Sequence, residues 1–284
     1  MLSVALALAG SVIYGASDFF GGLAARGTSA VRVTWINSIA GLAVLIIAAL
    51  LLPSRWSAPV LLWGVLAGAC GSVALVLLYA CLAIGPMSIL SPILALVAAV
   101  IPIAIGFVRG ERLSSLGYLG LAVGLVAIIL ICLVPGERAV RPSRRGLLMA
   151  VGAGVAIGGY LVFIDLTPHD SGPAPLLVTF VVAGIVTSTI LLGQRLARQD
   201  APRPTISRTT VGFAVLCGLT DAAAAFLFLL ALREGELSIV SVLNALAPAG
   251  TIVLAAAVLR ERIAPVQWMG LAVALIAAAL LALA

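Results

Sequence analysis

Apolar runs of about twenty residues follow one another along this chain, separated by short polar breaks. A helix needs about 20 apolar residues to cross the hydrocarbon core of a bilayer. The runs near 3–25, 31–52, 59–83, 88–108 and 113–134 each meet that length, as do those near 146–165, 174–193, 209–232, 238–258 and 264–283. They predict ten transmembrane helices. Breaks fall at Arg26-Gly27, Pro53-Ser54-Arg55, Gly85-Pro86, Arg109 to Arg112 and Pro135 to Arg145, then at Pro168 to Pro173, Gln194 to Arg208, Arg233 to Glu236 and Arg260 to Pro265. Loops this short leave no room for a soluble domain. The first run lacks a positively charged start and is followed by many similar runs, so it reads as a span and not as a cleaved leader.

The pattern is written twice. Ser88-Ile89-Leu90-Ser91 returns as Ser238-Ile239-Val240-Ser241, Glu111-Arg112 as Glu261-Arg262, and Gly120-Leu121-Ala122-Val123 as Gly270-Leu271-Ala272-Val273, all at an offset of 150. Fainter matches join the front halves at an offset of 143: Val12, Gly15, Phe20, Ala40 and Gly41 fall on Val155, Gly158, Phe163, Ala183 and Gly184. The expected fold is an all-α polytopic membrane protein of two five-helix repeats, residues 1–142 and 143–284. Five spans is an odd number, so the second copy enters the membrane from the opposite side and the repeats are inverted.

Composition agrees. The chain is 63% hydrophobic and 9% charged, against roughly 45–50% and about 25% in soluble domains, and its mean hydropathy is +1.29. All sixteen basic residues are arginine. They stand singly or in twos between apolar runs, which fits basic loops at a membrane face and not a nucleic-acid footprint. Most lie on the side away from the termini, which predicts that both ends are outside. Cys70, Cys81, Cys132 and Cys217 fall inside apolar runs without metal or redox spacing.

The turn Gly110-Glu111-Arg112-Leu113 before Gly120-Leu121-Ala122-Val123-Gly124, echoed by Arg260-Glu261-Arg262 before Gly270-Leu271-Ala272-Val273, resembles the drug/metabolite transporter superfamily. More narrowly, ten spans with this turn after the fourth helix of each half resemble its EamA-type exporters, and the size and organisation look like the YddG-type amino-acid exporters among them. The resemblance covers the whole chain and implies a central cavity between spans 1, 3, 4, 6, 8 and 9, with cytoplasmic termini. The second point conflicts with the arginine distribution. Small four-helix multidrug members carry a glutamate mid-way along their first helix; here Val12-Ile13-Tyr14-Gly15-Ala16-Ser17-Asp18 has none, so that mechanism does not carry over.

Polar residues within spans are the candidate chemistry, because an ionised group at mid-membrane costs at least ~2.5–3.5 kcal/mol. Asp221 lies near the middle of the eighth span and Asp18 deep in the first. Tyr14, Ser17, Asp18 and Gly21 share one helical face. That face either lines a wet cavity or leaves Asp18 to the backbone or to Arg26; Asp221 either lines the cavity or bonds a neighbouring helix. Ser91 and Ser241 are repeat-related, Asn244 and Pro248 extend the face of Ser241, and Pro92 and Pro102 interrupt the fourth span. These prolines are candidate kinks or gates. Tyr79, Tyr160, Phe163 and Phe228 complete the candidate cavity set, with lipid or core packing as the alternative for the phenylalanines. Thr34, Asn37, Ser38 and Gly41 on the second span form a candidate interhelical hydrogen-bond seam, and the glycines of spans 3, 5 and 10 form small-residue packing faces.

Enzyme classes fit poorly. HExxH, GxSxG and a Walker A loop are missing, and the one histidine, His169, stands in a loop. No cofactor and no metal are expected. The reading is a secondary transporter of the cell inner membrane that exports small metabolites, amino acids foremost, by alternating access. The alternative is a flippase or exporter of lipid-linked metabolites, nucleotide sugars or drugs. The expected partners are a small-molecule substrate and the lipid bilayer, with monomer and dimer both open.

Overall fold

The computed structural model describes residues 1–84, 87–132, 143–197, 206–259 and 263–284. Among them every regular element is a helix: α1 (Leu2–Ala25), α2 (Ala30–Leu51), α3 (Ala58–Ile84), α4 (Met87–Val108), α5 (Ser115–Cys132), α6 (Arg144–Asp165), α7 (Ala174–Ala197), α8 (Arg208–Glu234), α9 (Leu237–Asn244), α10 (Ala247–Leu259) and α11 (Pro265–Leu283). A short 3₁₀ turn, His169–Ser171, precedes α7. Among the described residues nine segments are long and apolar enough to cross a membrane by length and composition, with Leu237–Val258 counted as one; Ile93–Val108 within α4 is a shorter apolar stretch. The all-helical, polytopic architecture agrees with the sequence pattern.

Lipid and protein divide the helix surfaces. Leu50, Leu51, Ile47, Leu148, Leu275 and Val108 stand on the exterior, where a water-soluble protein would present charge. Inside, Leu45, Ile128, Ile131, Leu161, Leu176, Phe228 and Leu243 are fully enclosed. A helix that is apolar all round has no wet face, so packing depends on shape.

Small residues supply that shape. Gly15 of α1 lies directly on the backbone of α10: a Cβ built there would stand 2.6 Å from both the Gly250 Cα and the Thr251 nitrogen. Thr251 then donates its hydroxyl to the Gly15 carbonyl at 3.0 Å. Gly158 of α6 meets Ala98, Ile101 and Pro102 of α4 in the same manner. Gly68 of α3 packs on Thr179 and Val182 of α7, while Gly218 of α8 packs on Asn37 and Ala40 of α2. Gly270 of α11 abuts the backbone at Ile131 of α5, and Gly120 of α5 faces Leu281.

α1 packs on α8 and α3 on α6; α4 packs on α6, and α9 and α10 on α1; α2 packs on α8 and α3 on α7. The pairs α2–α7, α4–α9 and α5–α11 are also in direct contact.

One span differs from its expected form. The sequence predicts a single helix over 238–258, whereas α9 ends at Asn244 and α10 begins at Ala247. Residue 248 is proline and offers no N–H to the Asn244 carbonyl four residues earlier. The ladder closes around the gap with shorter bonds, Leu246 N to Leu243 O at 3.2 Å and Ala249 N to Leu246 O at 2.8 Å. α4 instead runs on through Pro102, which is buried against Gly158.

The α1–α10 contact has no side chain that can yield, so Gly15→Val should destabilise the protein beyond the ~1–3 kcal/mol of ordinary overpacking. Gly22→Ala meets nothing within 4 Å and should be neutral. Thermal unfolding of both variants in detergent checks the contrast, and equal Tm values would contradict it.

Candidate substrate cavity

α1 brings Tyr14 and Asp18 to one face, and α8 brings Asp221 and Phe228, seven residues apart, to the face opposite. The two faces meet: the Tyr14 and Phe228 rings lie 5.4 Å apart, and Asp18 and Asp221 are within Coulombic reach of each other. Tyr160 of α6 stands beside Tyr14 and within reach of Asp221. Tyr14, Asp18, Tyr160, Asp221 and Asn244 each keep part of their surface accessible, although all belong to helices of the bundle. Asn244 sits at the break between α9 and α10, and irregular backbone at membrane depth is tolerated where it borders a cavity or is buried in protein.

The remaining expected residues are placed differently. Ser17 is buried and donates to the Cys217 carbonyl at 3.0 Å, so it ties α1 to α8. Ser241 is wholly buried and donates to its own helix at the Ser238 carbonyl, 2.9 Å. Phe228 is enclosed between Tyr14 and Gly10. None of these three presents an open surface. Phe163 is half-buried and stacks on Trp63 of α3 at 5.9 Å. Pro248 stands at the helix break, and Pro102 is packed on α6. The side chains of Tyr79, Ser91 and Pro92 lie outside the described residues.

Asn37 belongs with the acids. It is 4% exposed and donates from Nδ2 to Asp221 Oδ2 at 2.9 Å, while its Oδ1 has no partner among the described residues. Thr34 and Ser38, its expected companions in an interhelical seam, bond back to Ala30 and Thr34 of their own helix. A hydroxyl can reach a carbonyl one turn back in a helix, whereas the asparagine amide here reaches across to α8. Only knowledge of which helix lies opposite could have separated Asn37 from them.

Toward the end of the bundle that holds the termini, a polar network joins the helices. α4 ends in a left-handed Gly110 (φ 96°), with Gly110 N bonded to Phe107 O and Glu111 N to Gly106 O, both at 3.0 Å. This is a Schellman stop, and it needs glycine at that residue. It aims Glu111 at the start of α9. One carboxylate oxygen accepts from Leu237 N at 2.9 Å, the other from Ser238 N at 3.2 Å and also from the Ser238 hydroxyl. Glu236 beside it is held above the usual carboxyl range, by partial burial and then by the Glu111 charge. Arg109 pairs with Asp165 at the end of α6. Arg233 of α8 donates to Thr167 O at 2.8 Å and Thr167 Oγ1 at 2.6 Å, and Arg55 pairs with Asp170 at 2.9 Å. The Glu111-Arg112 turn was legible in the sequence as a repeated motif; its role as a cap on a distant helix was not.

Two outward grooves lie elsewhere. The larger, about 430 Å³ between α2 and α7, is lined by Trp35, Ile39, Phe180, Val181 and Ile185, with Trp35 Nε1 donating to Ser188 at 2.8 Å. The other, about 300 Å³ between α2 and α8, is apolar.

This is the construction of a polytopic helical membrane protein with polar groups at its centre. Residues 144–283 match the EamA-like transporter family, a family of membrane transporters for small molecules. No curated protein matches the chain. Over 99% of its length it is similar to 97% of a chain of known crystal structure, at a TM-score of 0.72 and 19% identity, a likeness of fold alone.

Removing the Glu111 carboxylate leaves buried N–H groups of α9 without acceptors. Glu111→Ala should therefore cost about 1–3 kcal/mol, read as a lowered Tm, and Glu111→Gln, which keeps one acceptor oxygen, should recover part of the loss. An unchanged Tm for the alanine variant would show that the cap carries no stability.

Proposed function

We propose that the chain is a secondary transporter of the cell inner membrane that exports small metabolites, amino acids foremost, by alternating access. The observation that carries this reading is the gathering of partly accessible Tyr14, Asp18, Tyr160 and Asp221 inside an apolar bundle, together with partly accessible Asn244 at the break between α9 and α10. A structural bundle has no need of accessible polar groups there, and each costs free energy unless water or a ligand meets it. The match of the second half to a transporter family supports the same class.

Residues 1–142 and 143–284 form, in this reading, two inverted five-helix repeats with the cargo between them. The reciprocal helix pairing supports it: exchanging α1 with α6, α2 with α7, α3 with α8, α4 with α9 and α10, and α5 with α11 maps the principal contacts onto one another. Rocking one half against the other must break the bridges from Glu111 to α9 and from Arg109 to Asp165, so these are the gate on the side of the termini. The alternative cargoes are lipid-linked metabolites, nucleotide sugars or drugs; the α2–α7 groove, open to lipid, is where a lipid-linked cargo would enter.

Counterflow into proteoliposomes tests the function, with radiolabelled amino acids and nucleotide sugars as the panel. Accelerated exchange of amino acids is expected; exchange of nucleotide sugars alone moves the chain to the second reading, and exchange of nothing in the panel defeats both. Asn244→Leu keeps similar volume and removes two donors and an acceptor, so it should slow exchange severalfold while the protein still inserts. Exchange at the unaltered rate would make Asn244 a structural amide. The loop arginines predict both termini on the outer face, and reporter fusions at each end should read as external. Cytoplasmic signals would reverse that orientation.

A further inference from the structure

Two carboxylates share the interior, and among the described residues no basic side chain pairs with either. Asp221 is thirteen residues from either end of α8, about 20 Å of helix in each direction. Asp18 lies on α1 beside Ser17, whose hydroxyl donates to the Cys217 carbonyl at 3.0 Å, one turn before Asp221. The sequence has no lysine and one histidine, His169 in a loop. Among the described residues both ion pairs, Arg55–Asp170 and Arg109–Asp165, belong to the ends of helices. Arg26, the arginine nearest Asp18 along α1, follows the helix and is exposed.

A second and independent feature is the orphaned oxygen of Asn37. The donation to Asp221 orients the amide, since a carboxylate can only accept. Oδ1 is then two bonds from the donating nitrogen, on a side chain 4% exposed, and it has no partner among the described residues. A buried acceptor left unmade costs about 1–3 kcal/mol. Among the described residues the Asn37 amide oxygen is unmet, the Asp18 carboxylate has no hydrogen-bond partner and Asp221 accepts from Asn37 alone, so acceptors outnumber donors around these two acids. Tyr14 and Tyr160 border the same space, and aromatic faces also favour a positive charge.

We infer that Asp18, Asp221 and the Asn37 carbonyl oxygen form a binding site for one monovalent cation, either a sodium ion or the ammonium group of a small amine. The cation takes carboxylate oxygens from α1 and α8 and the amide oxygen from α2, and so adds a link among three helices that already touch through Ser17–Cys217 and Asn37–Asp221. This deepens the transport reading, because an amino acid carries such an ammonium and a coupled ion such a charge. Binding is read without transport, however, so the two can fail separately: a chain that binds no cation can still exchange amino acids, and one that exchanges nothing can still bind.

The test is thermal unfolding of the full chain in detergent at constant ionic strength. Choline chloride, whose quaternary nitrogen has no N–H donor, is the baseline, replaced stepwise by sodium chloride or by methylammonium chloride. The expected result is a saturable rise in Tm with one of the two. A response to sodium identifies an inorganic coupling ion, and a response to methylammonium identifies the cargo's ammonium. Asp221→Asn should lose at least tenfold in apparent affinity, yet melt no lower than wild type in choline, because it removes an unbalanced charge and keeps an oxygen for Asn37. A purely structural Asp221 would show the opposite, a lower Tm in choline. Should that variant fail to fold, Asp18→Asn, whose carboxylate has no hydrogen-bond partner among the described residues, carries the same expectation. The inference is overturned if neither cation raises the wild-type Tm above choline, or if the neutralised variant responds as wild type does.

Discussion

A bilayer offers no hydrogen bonds, and the architecture of this chain follows from that one lack. Every backbone N–H and C=O in the apolar interior must find its partner within the protein, so the spans are helices. The hydroxyls of Thr34, Ser38, Ser72, Thr187 and Ser241 fold back onto carbonyls of their own helices. With lipid outside as apolar as the side chains inside, helices gain little from burial and associate through close fit. Gly15 on Gly250, Gly218 on Asn37 and Gly270 on Ile131 are therefore where the bundle is held. The same scarcity makes exceptions conspicuous. Asp18, Asp221 and Asn37 Oδ1 stand out because nearly everything around them has been satisfied.

Much of the fold could be read from the sequence because hydropathy is a local signal. Ten runs separated by arginine, proline and glycine were visible one window at a time, and the helices fall within a few residues of them. The glycine faces of spans 3, 5 and 10 were visible too, since a stripe of small residues on one helix needs no knowledge of its neighbour. The division of the ninth span was less plain. Pro248 marked it, but Pro102 carries the same chemistry and α4 passes through it unbroken. What separates them is the surroundings: Pro102 is buried against Gly158 of α6, whereas Pro248 and Asn244 remain partly open.

The candidate site was legible only in part, for the complementary reason. Charge in an apolar run is a local signal, so Asp18 and Asp221 could be picked out, and tyrosine away from the interface marked Tyr14 and Tyr160. Pairing is not local. Asn37 looked no different from Thr34 and Ser38 until α8 was known to lie opposite, and Glu111 looked like a turn residue until α9 was found beneath it. Ser241 erred in the other direction: its repeat partner Ser91 suggested a shared function, but its hydroxyl is spent on its own backbone.

Comparison of the two halves separates scaffold from site. Under the proposed repeat, Gly15 corresponds to Gly158 and Gly68 to Gly218, and each packs on the corresponding partner helix. The polar positions do not correspond. Asp221 falls on Gly71 at the offset of 150, while Tyr14, Asp18 and Asn37 fall on Ile157, Leu161 and Phe180 at the offset of 143. Under that proposal close packing is kept in both copies, whereas each acid lacks a counterpart, Asp18 standing in the first copy and Asp221 in the second. The proposed rocking would require the mechanical equivalence of the halves, since each would close as the other opens. The proposed binding would require no such equivalence, since one cargo would meet both halves at once. Under the proposed repeat, a symmetric frame with its two acids set on the adjoining helices α1 and α8 satisfies both demands, and each acid is carried at one of its two related positions and not at both.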